Sequence, residues 1–184
     1  MNKLVAVIDY QNDFVNGSLG FDGAESIDKG IADLIKKSLA EGTKVLFTFD
    51  THYEDYFETQ EGINLPIMHC MDGSFAAELY GKTHEIYSEQ FENELIYRIK
   101  KNSYGIDPLE AVKLREQIGE NLDEITLVGV VTNMCVISNA IMLKSTWNNA
   151  KIRVIENLCK SFDNNLHNKA LDVMKGLNIE IVKE

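Results

Sequence analysis

The chain reads as an α/β protein, a three-layer α/β/α sandwich built on a mostly parallel, about six-stranded Rossmann-like sheet. Three observations predict this: short β-branched apolar runs recur along the whole chain, helix-spaced apolar repeats fill most intervals between them, and no Pro/Gly-rich linker interrupts the series, with only 2 prolines in 184 residues. Strands alternating with helices require right-handed crossovers, which cover both faces of a parallel sheet.

The strand-like runs fall at residues 4–8, 44–49, 95–99, 125–131, 152–155 and 179–182. The run at 125–131, Ile-Thr-Leu-Val-Gly-Val-Val, is nearly continuous in apolar residues, as expected of a strand buried on both faces. Between the runs, Ile27, Ile31, Leu34, Ile35 and Leu39 keep helical spacing up to Gly42. Leu109, Val112, Leu114 and Ile118 do the same up to Gly119. Ile137, Ile141 and Leu143 mark a further helix, and Leu166, Ala170, Val173 and Met174 the last. The interval 51–90 breaks the rhythm with aromatics, acids, three histidines and Pro66, and a loop that long inside a compact domain is usually functional.

Composition narrows the class. A 45% hydrophobic chain of this length can bury one substantial core, so residues 1–184 are expected to form a single domain. A net charge of -11 and a pI near 4.8 repel phosphate, which argues against nucleic acid and anionic membrane as partners. The apolar run at 4–8 is too short for a signal-peptide core or a membrane span. Cys70, Cys135 and Cys159 are odd in number and widely spaced, unlike a disulfide framework, so a cytoplasmic protein is expected.

Ligands of open parallel sheets bind outside the carboxyl ends of the strands, and three of those ends carry reactive groups. Asp9 ends the first run, Lys101 follows the third, and Cys135 follows the fourth at the start of a helix. A thiol in a first helical turn faces unpaired N–H groups and the positive end of the helix dipole, both of which favour thiolate. Such a trio supports attack on a carbonyl, with Cys135 as nucleophile, Asp9 as proton shuttle and Lys101 as the cation beside both. Backbone N–H groups of Val131 and Cys135 could form the oxyanion hole. Cys70 and Cys159 are read as small buried hydrophobes, and His84 and His167 are left unassigned.

The segments Val7-Ile8-Asp9-Tyr10-Gln11-Asn12-Asp13-Phe14, Lys101-Asn102-Ser103-Tyr104 and Gly129-Val130-Val131-Thr132-Asn133-Met134-Cys135-Val136, in that order, together resemble the isochorismatase-like cysteine hydrolases. The resemblance implies Asp9, Lys101 and Cys135 as catalytic triad and a cis peptide between Val130 and Val131. It also places Phe14 and Tyr104 beside the substrate ring, although both could equally be core.

Asp50 and His52, alternate residues after the second strand, can present an oxygen and a nitrogen to one cation, and His69 would complete a three-ligand set. The plainer reading is a loop-capping Asp50 with two hydrogen-bonded histidines. The set resembles the divalent-metal site of the nicotinamidases within that family, with zinc as the expected ion. Glu58 is the first candidate for a fourth ligand and Glu61 the second. The resemblance thus implies a metal-assisted cysteine amidohydrolase acting on a small-molecule amide, converting nicotinamide to nicotinate and ammonia through a Cys135 thioester, and it allows a homo-oligomer. The alternative enzyme is a family member acting on another small amide or on isochorismate. A scaffold that kept the fold and lost the chemistry is the remaining class, disfavoured by the intact triad. One departure bears on the substrate: Pro66, Ile67 and Met68 stand where an aromatic often precedes the metal histidine.

Overall fold

The computed structural model describes residues 1–183. Six strands, β1 (Lys3–Ile8), β2 (Lys44–Asp50), β3 (Ile96–Lys101), β4 (Glu124–Val130), β5 (Lys151–Lys160) and β6 (Glu180–Val182), form one sheet in the order β3-β2-β1-β4-β5-β6. Every neighbouring pair is parallel. The helices are α1 (Asn12–Val15), α2 (Asp28–Ala40), α3 (Gln60–Asn64), α4 (Gly81–Glu89), α5 (Pro108–Ile118), α6 (Ile137–Thr146) and α7 (Asn164–Gly176).

Strand alternation divides the core. Leu4, Ala6 and Ile8 of β1 pack with Ala111 and Leu114 of α5, Ala140 and Leu143 of α6, and Leu171 and Met174 of α7. Val5 and Val7 point the other way, into a second cluster with Phe14 of α1, Ile31 and Ile35 of α2, and Ile86 of α4. The sheet is therefore covered on both faces, the three layers expected.

Several element ends differ from the sequence expectation. β2 and β3 continue through Asp50 and Lys101, so both residues are the last of their strands rather than their successors. They are register partners, Asp50 opposite Lys101, and ladder pairing overrides the poor strand preference of their side chains. β5 runs well past the apolar stretch 152–155, to Lys160, with a register shift opposite Leu127 and Gly129 of β4. The interval 51–90 is less irregular than its sequence suggests, since it holds α3, α4 and two short 3₁₀ turns, Tyr56–Glu58 and Phe75–Ala77.

Candidate active site and metal centre

The order of the strands reverses between β1 and β4, and the crevice at such a switch point is where open α/β sheets bind ligands. Asp9 leaves β1 there with a positive φ of 45°. Its carboxylate is gripped on both oxygens: Lys101 Nζ lies 2.6 Å from Oδ2, and the Thr48 hydroxyl donates to Oδ1 at 2.6 Å. Thr48 is in place because β2 pairs it with Ile8. Lys101 Nζ also lies 3.3 Å from Asp50 Oδ1 and 3.8 Å from Cys135 Sγ, and it donates to the Ser103 carbonyl at 2.9 Å.

β4 approaches β1 closely enough to exclude any side chain at Gly129. A Cβ there would meet the Ile8 carbonyl oxygen at 2.1 Å, and φ is +119°. The Val130–Val131 peptide is cis, and the chain then enters a π-helical turn, Thr132–Val136, that carries Cys135. Bulged turns of this kind often sit at functional sites.

Burial decides the protonation of this trio. It pushes the Cys135 thiol well above its ordinary value, against the pull of Lys101 and helped by Asp9 and Asp50. Burial also raises the Asp9 carboxyl, with Lys101 opposing and Asp50 adding. The same burial opposes the charge of Lys101, but Asp9, Cys135 and Asp50 outweigh it and hold the ammonium above the usual lysine range. Burial thus works against a standing Cys135 thiolate, whereas the expected helix start and the Lys101 ammonium work for one.

Beside the triad, Asp50, His52, Glu61 and His69 bring one donor atom each to within 4.8 Å of one another. Asp50 Oδ2 lies 3.1 Å from His52 Nε2 and 3.2 Å from His69 Nε2, and Glu61 Oε1 is 3.9 Å from both nitrogens. The His69 Nδ1 is 2.8 Å from the Ile67 carbonyl, which can only accept, so Nδ1 carries the proton and a neutral His69 turns the Nε2 lone pair into the cluster. Two imidazole nitrogens and two carboxylate oxygens facing one point fit a divalent cation such as zinc.

Glu58 does not join them. It is exposed at the end of the 3₁₀ turn, whereas the Thr59 side chain caps α3 by accepting from the Gly62 N–H and turns Glu61, in the first helical turn, inward. The structure thus groups the second candidate for the fourth ligand, and not the first, with Asp50, His52 and His69.

A cavity of about 300 Å³ opens onto both groups. Cys135, Val131, Asp50, His69 and Glu61 line it, as do Phe14 and Tyr104; Phe14 meets the His69 ring edge at 5.6 Å. Leu19, Phe21, Leu65, Met134 and Phe162 complete the apolar wall, and none of these was singled out from the sequence.

Other contributors were also missed. Gln11 donates to the Asp50 carbonyl at 2.9 Å and accepts from the Asp50 N–H at 2.8 Å, clamping a metal-site residue by its backbone. Asp13 accepts from the N–H of Cys70, next to His69, at 2.6 Å. Asn139, fully buried, accepts from Ile106 N–H at 3.0 Å and donates to the carbonyls of Tyr104 at 3.0 Å and Cys135 at 2.8 Å. Its signal was available: Asn139 is four residues after Cys135, the same helix face, and is polar within an apolar stripe.

A model of the isochorismatase domain matches residues 3–183. The chain belongs to the isochorismatase family. Among solved structures, it is similar to the nicotinamidase/pyrazinamidase PncA from Bacillus subtilis, with a TM-score of 0.87, 27% identity and 100% of both chains covered. It is similar also to the pyrazinamidase/nicotinamidase from Streptococcus mutans, with a TM-score of 0.84 and 27% identity over 98% of this chain and 100% of the other. A pyrazinamidase from Pyrococcus horikoshii, solved in complex with zinc, shares the fold at a TM-score of 0.83 and 21% identity, with 100% of both chains covered. No curated protein matches the chain. The protein is therefore an isochorismatase-family hydrolase with an α/β fold like that of PncA, and no helix among its described residues is long and apolar enough to cross a membrane.

Proposed function

We propose that this hydrolase is a metal-assisted cysteine amidase whose substrate is nicotinamide, cleaved to nicotinate and ammonia. The observation that carries the reading is a buried Asp9–Lys101–Cys135 constellation sharing one apolar cavity with a two-histidine, two-carboxylate cluster. The likeness to nicotinamidases over the full chain supports it.

The resting charges dictate the order of steps. Asp9, a stronger base than an ordinary carboxylate because burial raises it, takes the thiol proton as Sγ attacks the carboxamide carbon. Lys101 stays protonated and stabilises the thiolate as it forms. The negative oxygen of the tetrahedral intermediate is held by the N–H groups of Val131 and Cys135. Asp9 then gives its proton to the leaving nitrogen, ammonia departs and a Cys135 thioester remains. Asp9 deprotonates the water that attacks the thioester, and returning that proton to sulfur restores the thiol. Asp50, His52, Glu61 and His69 would hold one divalent ion, zinc fitting the donor set, whose Lewis acidity offers a ring nitrogen an orienting contact. Phe14 and Tyr104 flank the ring.

The lining also bears on the second enzyme reading. Among the described residues lining the cavity none is Lys or Arg, while Asp50 and Glu61 are acids. An ion held there would offset the two acids, but no cationic side chain in the lining would pair with the carboxylates of a dianion such as isochorismate, so a neutral amide fits better. The test is ammonia release from nicotinamide by metal-loaded protein. Steady release that disappears in Cys135→Ala is expected, and no release at any metal loading would remove the reading.

A further inference from the structure

The cavity has two chemically different ends. Its floor is buried and polar, formed by Asp50 at 3%, His69 at 2% and Cys135 at 6% exposure. Its apolar side is formed by half-buried Leu19, Phe21, Leu65 and Met134 and by Phe162, which at 59% exposure marks the mouth. Two separate chain segments meet there: Phe21, ahead of α2, and Phe162, between β5 and α7, touch edge to face with centroids 6.3 Å apart. The volume of about 300 Å³ lies at the lower end of the ~300–1,000 Å³ typical of small-molecule pockets, which leaves room beyond a single ring.

We infer that the Leu19–Phe21–Phe162 mouth is a subsite for an apolar ring substituent, so the preferred substrates are uncharged heteroaromatic carboxamides bearing an alkyl or aryl group on the ring edge away from the carboxamide. The inference rests on the amide reading and deepens it. With the carboxamide at Cys135, the ring carbon meta to both the carboxamide and the ring nitrogen points away from the polar floor, and a substituent there leads towards the mouth. Burying a few carbons against these side chains adds affinity through dehydration, and the apolar mouth offers an anionic substituent no partner.

The test compares nicotinamide with 5-propylnicotinamide. In metal-loaded protein, kcat/KM for the propyl amide is expected to exceed that for nicotinamide by about tenfold, the effect of partly burying three carbons. The catalytically silent Cys135→Ala protein should bind the propyl amide more tightly by a similar factor in calorimetry. In Phe162→Ala and Phe21→Ala the ratio between the two amides should fall towards one, while Phe162→Leu keeps most of it. A variant that merely folds badly lowers both rates and leaves the ratio. The inference is overturned if nicotinamide is hydrolysed and the propyl amide is handled no better, or if the preference survives both alanine variants. If neither amide is bound or hydrolysed, the amide reading itself falls and takes the subsite with it.

Discussion

The triad and the metal cluster are neighbours, yet they are held by opposite means. Lys101 is the last residue of β3 and Asp9 follows β1 directly, so ladder register sets both, and Cys135 is carried by the turn Thr132–Val136 that β4 feeds. His52, Glu61 and His69 come from an interval of short turns, fixed by an isolated β-bridge between His52 and Met71 and by local bonds in which Gly62 N–H donates to Thr59, Cys70 N–H to Asp13 and His69 Nδ1 to the Ile67 carbonyl. Asp50 belongs to both, as the last residue of β2 and the shared partner of Lys101 and the two histidines. The contrast teaches that the proposed triad is anchored mainly through the sheet, whereas the proposed cation site depends more on local contacts and should be easier to alter alone.

The largest effect expected on the sheet side is at Gly129. An added Cβ would collide with the β1 backbone at 2.1 Å in a left-handed conformation, so Gly129→Ala should destabilise the fold by about 3–5 kcal/mol in urea denaturation and abolish turnover. Unaltered stability would mean that β4 and β1 are not locked where Cys135 is launched.

On the cluster side, Glu61→Gln should weaken divalent-ion binding by at least about 100-fold in calorimetry while leaving the urea midpoint nearly unchanged. Glu58→Gln should change neither. Equal losses in the two variants would restore Glu58 as a ligand.

This pair marks the boundary of what the sequence made legible. The strand ends were readable because β-branched runs announce buried strands and polar side chains at their carboxyl ends stand out: Asp9 and Cys135 were found that way, and Lys101 too, although the strand was expected to stop before it. Period-two and period-3.6 patterns carry no comparable signal in a stretch of short turns. Whether Glu58 or Glu61 faces inward depends on where α3 begins, and a one-residue change in a helix start rotates a side chain by about a quarter of a turn. The cavity mouth was illegible for another reason: Phe21 and Phe162 are 141 positions apart and meet only through the tertiary fold, 162 − 21 = 141. The burial that pushes the Cys135 thiol up is likewise a tertiary quantity that its place in the sequence does not announce.

A smaller effect joins the two regions. Asn139 ties the Cys135 turn to the loop carrying Tyr104, so Asn139→Ala strands a buried N–H and two carbonyls and should cost about 2 kcal/mol of stability. It should also lower kcat more than it raises KM. A loss confined to stability would make Asn139 a packing residue only.

The smallest is a pH effect on the sheet. Burial pushes the Cys159 thiol up to about 12, while an unfolded thiol titrates near ~8.5. Above that lower value the unfolded chain releases a proton that the folded chain keeps, so this contribution to stability is complete below pH ~8.5 and declines as pH rises towards 12. By pH ~9.5 roughly 1 kcal/mol of it is lost, and Cys159→Ala should show a correspondingly shallower fall in urea midpoint between pH ~8 and ~10.

The central claim is that Cys135 is the acyl-transfer nucleophile of an amidase, and rapid acid quenching of the metal-loaded protein during nicotinamide turnover, followed by peptide mass analysis, tests it most directly. The predicted result is a nicotinoyl thioester on the peptide carrying Cys135, released by hydroxylamine and absent from Cys70 and Cys159. Sustained ammonia release with no adduct, undiminished in Cys135→Ala, would contradict it.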